Sequence, residues 1–372
     1  MFNSRLARAD WKLMTAVLIL VVIGLVMVYS ATRAQLTVQG SSPTSRMATQ
    51  SIWVVLSLVA FVLVASFEYS RLQQLSWPFY VGVLLLLILV LVIGSLVRET
   101  QRWLSVGPVN IQPAELAKLA VILLLAAYLS SREREVVDFE LLARSLAYAV
   151  VPSVLILLQP DLGTPVLLVF IWGIICYVFG ARLVHLGAFA FAFVMLFVAA
   201  WGFGLIQPHQ KARLTAFLDA EGADPGQRWQ LEQSLIAIGS GHLTGKGLLR
   251  GSQSQLSFVP DQETDFIFSV IGEETGFVGT VAVLILFGTV LWRGLVISAL
   301  ARTLFGRLAA AGIVAMLFFH IAVNIGMTLG VMPVKGLPLP FISYGGSAML
   351  VNFVALGILQ SIYIDRQSIR FD

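Results

Sequence analysis

Charge is scarce in this sequence. Asp, Glu, Lys and Arg make up 12% of its 372 residues and hydrophobic residues 58%, with a mean hydropathy of +0.89, whereas a soluble domain carries roughly 25% charged residues. That shortage excludes water as the main solvent of the chain. The one cysteine, Cys176, sits in an apolar stretch and has no partner, which excludes an intramolecular disulfide. The four histidines, His185, His209, His242 and His320, have no ligand spacing, so no dedicated metal site is expected. Basic runs are missing too. Although the pI is near 9.3, the 24 Lys and Arg stand singly between apolar stretches, which excludes a nucleic-acid-binding stripe and leaves membrane topology as the explanation. No internal repeat of fixed period is present, against an inverted-repeat transporter.

What the sequence has in abundance is long apolar runs, at 13–31, 52–67, 78–97, 115–130, 145–158, 164–180, 183–206, 266–292, 308–330 and 341–364. They are continuously apolar instead of alternating, so they predict helices and not barrel strands. A hydrocarbon core of about 30 Å needs about 20 such residues. The expected fold is therefore an all-α integral membrane protein, a single polytopic domain over 1–372 with about ten transmembrane helices. The runs 145–158 and 164–180 are short for that thickness and are expected to be tilted or partly enclosed by protein.

Basic residues set the orientation. With the N-terminus inside, the cytoplasmic side carries Arg5, Arg8, Lys12, Arg71, Arg132, Arg134, Arg144, Arg182, Arg293, Arg302, Arg307, Arg366 and Arg370. The short outer loops carry only Arg33, Arg46, Arg98, Arg102 and Lys335, so both termini are assigned to the cytoplasm. The first run has a signal-like basic start, but the further spans make it an uncleaved anchor. Two irregular segments then fall outside. One is the long 207–264 loop between spans seven and eight, where Trp229, Leu231, Leu235 and Ile238 suit a short amphipathic helix on the membrane surface. The other is Pro333 to Gly346, whose three prolines resist helix and which must lie in water or protein.

An ionisable side chain at membrane depth is costly, so the few present are paired, wet or functional. Asp265 opens the eighth span, with Glu273 and Glu274 about 12–14 Å further along at 1.5 Å per residue. Asp265 either caps that helix or serves as a general base in a partly dehydrated groove at the outer face. Glu273 and Glu274 lie on different sides of the helix, so one of them shares a cavity with Asp265. Glu115 and Lys118, three apart after Pro113, share a helix face and either brace the helix end or orient a ligand. Arg102 and Trp103 form a cationic and aromatic rim beside them, and Asp161 sits in the turn joining spans five and six. Lys246 and Arg250 flank the glycine-rich Gly239-Ser-Gly-His-Leu-Thr-Gly-Lys-Gly247, where they and backbone N–H groups could hold a diphosphate. Ser343-Tyr-Gly-Gly-Ser347 is a second candidate anion-cradling turn.

These segments, taken in order, resemble a known family. Gln101-Arg-Trp-Leu104, Gln112-Pro-Ala-Glu-Leu-Ala-Lys118, Gln159-Pro-Asp-Leu-Gly-Thr164, Ala237-Ile-Gly-Ser-Gly241, Gly245-Lys-Gly247, Thr264-Asp-Phe-Ile-Phe268 and Leu339-Pro-Phe-Ile-Ser-Tyr-Gly-Gly-Ser347 look like the successive signatures of the SEDS family (shape, elongation, division, sporulation). Gly251-Ser-Gln-Ser-Gln-Leu256 and Gly336-Leu-Pro-Leu-Pro340 look more like its elongation branch than its division branch.

The resemblance implies a peptidoglycan glycosyltransferase of the bacterial cytoplasmic membrane that polymerises lipid II at the outer face during elongation. It also implies a class B penicillin-binding protein as partner. Asp265 matches the family's essential aspartate, whose implied role is accepting the proton of the acceptor sugar's 4-hydroxyl. Trp103, Glu115, Lys118 and Asp161 match the family's other motif residues. Glu263 departs from the pattern, standing where relatives often have histidine, and so does Thr275, where they often have leucine. On this reading undecaprenyl diphosphate leaves, an α linkage becomes β, and Lys246, Arg250, Lys118 or Arg102 meets the diphosphate charge; no dedicated cofactor is expected, and a divalent cation (Mg or Mn) at the diphosphate is an open option. Two rival readings are a lipid II flippase and a non-catalytic scaffold for the partner. The flippase requires polar residues through the inner half of the bilayer, whereas the candidates cluster outside.

Overall fold

The computed structural model describes residues 8–93, 95–97, 100–106, 109–159, 161–204, 225–333 and 336–366. Expectations that fall on Arg5, Arg98, Pro160, His209, Lys335 and Arg370, and on the long loop as far as residue 224, lie outside the described residues.

The apolar runs form helices α1 (Trp11–Val38), α2 (Ser45–Ser66), α3 (Tyr69–Ile93), α4 (Pro113–Ser130), α5 (Phe139–Leu157), α6 (Gly163–Phe179) and α7 (Leu183–Gly202). After α8 (Pro225–Ser240) and the short α9 (Ser252–Gln255) come α10 (Ile267–Leu300), α11 (Leu304–Thr328) and α12 (Gly346–Asp365). Among the described residues nine helices are long and apolar enough to cross a membrane, and α6, with 17 residues, is a shorter apolar helix. Enclosure suits that length, since Leu167, Leu168, Ile171, Trp172 and Ile175 of α6 are all buried. Helix α5 starts six residues ahead of its apolar run, because Asp138 caps it by accepting the Leu141 N–H at 2.8 Å.

Packing follows the buried faces. Helix α12 lies along α2, α10 along α1 and α11, and α11 is sandwiched between α4 and α6. Helices α4, α11 and α12 are mostly enclosed, whereas α7 buries only Phe189 among the described residues and exposes Phe191, Met195 and Leu196 to the surroundings. In a bilayer that apolar face needs no protein cover.

Three features were not visible in the apolar runs. Between α3 and α4 the chain folds into a small antiparallel sheet, β1 (Ser95–Val97), β2 (Thr100–Val106) and β3 (Val109–Ile111), with Leu104 opposite Ile111. Secondly, α10 is broken at Gly276, whose φ of 65° and ψ of −163° no helix allows. The glycine-rich segment plugs the break: Lys246 and Gly247 N–H groups donate to the Glu273 and Glu274 carbonyls, and Phe277 and Val278 N–H groups donate to the His242 and Leu243 carbonyls, all at 2.9–3.1 Å. Backbone freed at membrane depth is thus satisfied by protein. Thirdly, the irregular segment from Gly336 to Gly345 runs inward until the Ile342 backbone rests on Gly24, where any Cβ would overlap it. The expectation that this segment lies in water or protein resolves to protein, since Leu337, Leu339, Phe341, Ile342 and Ser343 are buried.

Candidate active site

Asp265 lies in a turn two residues ahead of α10, not in its first turn. Phe266 is the N-cap of α10 and no side chain caps the helix, so the capping role open to Asp265 from sequence is not the one it plays. Its N–H bonds the Asp261 carbonyl at 3.0 Å, and its own carbonyl accepts from Asn324 Nδ2 at 2.9 Å. The carboxylate is half-buried and faces Gly336, where a built Cβ would stand 3.2 Å from Oδ2.

The Gly336–Gly345 segment carries further candidates to the same place. Ser343 Oγ donates to the Thr264 carbonyl at 2.5 Å and accepts from the Leu339 N–H at 2.8 Å, while the Tyr344 N–H bonds the Glu263 carbonyl at 2.9 Å. Gln50 adds two bonds, donating to the Ser343 carbonyl and accepting from the Gly345 N–H. Ser347 Oγ, at the start of α12, donates to the Asn110 carbonyl at 3.0 Å and ties down β3. The Ser343, Tyr344 and Gly345 N–H groups and the Ser343 and Ser347 hydroxyls of the expected anion cradle already have protein acceptors, so this part of it acts as a lock.

Asp161 joins this cluster from the other side. Its carboxylate accepts from the Gly163 N–H at 2.9 Å and from Thr164 Oγ1 at 2.8 Å, which fixes the start of α6. Leu337 packs on Gly163, and the Leu337 carbonyl accepts from Asn324 Nδ2 at 2.8 Å, so the Asp161 turn and Asp265 share one brace. Arg102 Nε donates to the Gln159 carbonyl at 2.8 Å, which seats the half-buried Arg102 and Trp103 of β2 over that turn.

Glu115 and Lys118 form the expected pair at 2.6 Å, but inside the protein. Lys118 is 1% exposed, and its Nζ also reaches His320 Nε2 at 3.1 Å. The Met316 carbonyl lies 2.8 Å from His320 Nδ1 and can only accept. Nδ1 therefore carries a proton, which leaves Nε2 as the acceptor for the ammonium. A buried cation so enclosed braces α4 against α11 and does not reach a diphosphate. Replacing Lys118 by Met is expected to cost about 3–5 kcal/mol by stranding the Glu115 charge, read as a lower melting temperature in detergent. The double variant Glu115→Gln, Lys118→Met is expected to recover most of the loss.

Glu273, Glu274 and Lys246 make a second cluster, about 12 Å further along α10 at 1.5 Å per residue. Glu273 is 0% exposed; its carboxylate accepts from Lys246 Nζ at 2.7 Å and from the Gln253 and Ser254 N–H groups at 2.8 and 3.0 Å, acting as the cap of α9. Glu274 accepts from Ser30 of α1. Neither shares a cavity with Asp265, as had been expected of one of them. The diphosphate cradle expected at 239–247 is likewise absent, since the Gly245, Lys246 and Gly247 N–H groups all bond carbonyls. Arg250 is exposed. A helix, α8, forms over the expected residues but without the expected apolar face: Trp229 and Leu235 point outward while Gln233 and Ser234 are buried, Ser234 donating to the Thr328 carbonyl.

Two residues that matter most to this geometry, Asn324 and His320, were missed as site residues, although polar groups interrupting an apolar run of α11 are the signal that finds them. Among the described residues no three His, Cys, Asp or Glu side chains converge as a metal-binding group.

Comparison with known proteins bears on this arrangement directly. A family model described as cell cycle protein, covering FtsW, RodA and SpoVE, matches residues 10–368. The peptidoglycan glycosyltransferase MrdB of Escherichia coli (strain K12) is 38% identical over 316 residues, 84% of each chain. A chain solved in work on how a peptidoglycan synthase complex coordinates polymerization and crosslinking superposes with a TM-score of 0.80 at 32% identity, covering 97% of this chain and 99% of that one. The crystal structure of the rod shape determining protein RodA from Thermus thermophilus gives 0.71 at 32% identity, covering 96% and 98%.

Proposed function

Since this chain belongs to the FtsW, RodA and SpoVE family of cell cycle proteins, we propose that it is a multi-pass membrane glycosyltransferase that polymerises lipid II into glycan strands. It works at the outer face of the bacterial inner membrane, during elongation, in partnership with a class B penicillin-binding protein. The names of its relatives support the activity, and the synthase complex in which one of them was solved supports the partnership.

One observation carries the chemistry. Of the candidate carboxylates, Glu115, Glu273 and Glu274 are buried against cations or hydroxyls, whereas Asp265 stands half-buried at the mouth of α10, in the segment that matches the family's signature. A base for the incoming 4-hydroxyl needs that combination of access and partial dehydration. The hydroxyl attacks the anomeric carbon of the donor, its proton passes to Asp265, and undecaprenyl diphosphate leaves from the opposite face with inversion from α to β. Arg250, exposed beside the plugged break in α10, is the cation proposed to meet the diphosphate; Lys246, still partly exposed, adds to the field there. Trp103 and Arg102 are proposed as the rim on the other side. Among the described residues no three His, Cys, Asp or Glu side chains converge, so a divalent cation would be held mainly by the diphosphate oxygens and water.

The test is polymerisation of labelled lipid II by the purified chain with its partner, with moenomycin present to silence classical transglycosylases. Long glycan strands are expected. No product, together with movement of lipid II across vesicles containing the chain, would replace this reading with the flippase; no product and no movement would leave the scaffold.

A further inference from the structure

Helix α11 is apolar along most of its length, yet it buries an amide at 0% exposure, Asn324. One nitrogen of that amide makes both of its hydrogen bonds, to the Asp265 carbonyl at 2.9 Å and to the Leu337 carbonyl at 2.8 Å. The oxygen is buried and has no hydrogen-bond partner among the described residues. A half-satisfied amide inside a membrane helix is costly, and a leucine would fill the same space without that cost.

The two carbonyls it joins explain the expense. The Ser269 N–H bonds the Phe266 carbonyl at 3.0 Å, so the Asp265 carbonyl is left outside the ladder of α10 and needs a donor from elsewhere. Leu337 directly follows Gly336, the residue that faces the Asp265 carboxylate. Asn324 therefore grips the backbone at Asp265 and the backbone of the wall opposite it. His320 sits one turn earlier on the same helix, about 6 Å away, and holds Lys118. Rotating or sliding α11 would displace both anchor points together.

We propose that Asn324 is a positioning residue for Asp265, its amide nitrogen setting the gap between the carboxylate and the Gly336 segment in which the acceptor hydroxyl is deprotonated. The inference rests on the reading of Asp265 as the base. Because the grip is on two backbone carbonyls and on no cation, its loss changes turnover and not lipid II affinity.

The experiment compares lipid II polymerisation by the full chain with its class B penicillin-binding partner, over a range of lipid II concentrations, for wild type, Asn324→Leu, Asn324→Ser and Asp265→Ala. In Asn324 variants that elute and melt as folded protein, kcat is expected to fall about 10–100-fold while KM stays within about twofold, the pattern of a misplaced base. A folded Asn324 variant with wild-type kcat overturns the proposal, as does a loss carried by KM. Failure of both Asn324 variants to fold overturns it too, for the residue is then a determinant of the fold. Asp265→Ala separates the two levels: if it stays active the reading of the base fails, whereas an inactive Asp265→Ala beside fully active Asn324 variants removes only the positioning role.

Discussion

Asp265→Ala is expected to lower the rate of glycan polymerisation by about 10²–10⁴-fold in a protein that is still folded. The first half of that expectation follows from the chemistry: a sugar hydroxyl is a poor nucleophile until its proton has somewhere to go. The second half follows from the local structure. The start of α10 does not depend on the carboxylate, because Phe266 is the N-cap and no side chain caps it, and the bonds to Asp261 and Asn324 run through the Asp265 backbone. Asp265→Asn, which keeps the shape and removes the basicity, is expected to be as inactive as the alanine variant. Glycan strand length on a gel, beside melting curves for each variant, decides the matter; equal product from wild type and Asp265→Ala would remove Asp265 from the chemistry altogether.

Gly245→Ala carries the largest expected effect on folding. Gly245 has a φ of +77° and a built Cβ would fall inside the Glu274 carbonyl, backbone that cannot yield without opening the plug in α10. A loss beyond about 4–5 kcal/mol is expected, seen as no monodisperse peak on extraction into detergent. Gly247→Ala is the control. It shares the left-handed backbone, φ +97°, but its nearest neighbour is the Arg250 Cδ at 3.5 Å, an ordinary contact, so it meets only the conformational penalty of about 1–2 kcal/mol. If the two variants melt alike, the plug is not what holds the two halves of α10 together.

The spans were legible because lipid demands continuous apolarity, a signal that needs no tertiary knowledge. Asp265 was legible too, as an acid at the end of a span within a segment resembling the family's signature. The Glu115 and Lys118 pair could be read from their spacing, since both lie on one helix face. Its third member could not, because His320 is brought to Lys118 by the packing of α11 on α4 across some two hundred residues. The same limit hid the break in α10: residues 266–292 read as one apolar run, and what heals it at Gly276 lies about thirty residues upstream. Lys246 and Glu273 were each read as reaching for substrate because sequence shows a charge but not its partner. Once folded they hold each other, and the glycines around Lys246 serve close backbone contact instead of phosphate binding.

The seating of Ile342 on Gly24 brings together two ends of the chain that leave the ribosome far apart in time. Asp10 bonds Gln360, and Gln50 bonds Ser343 and Gly345, so the earliest helices wait for the latest segment before either is complete. Contacts so distant in sequence form late. A nascent copy, or one truncated ahead of Gly336, therefore holds Asp265 without the wall that faces it. The wall opposite Asp265 is thus made after Asp265 itself and is seated by helices made long before it.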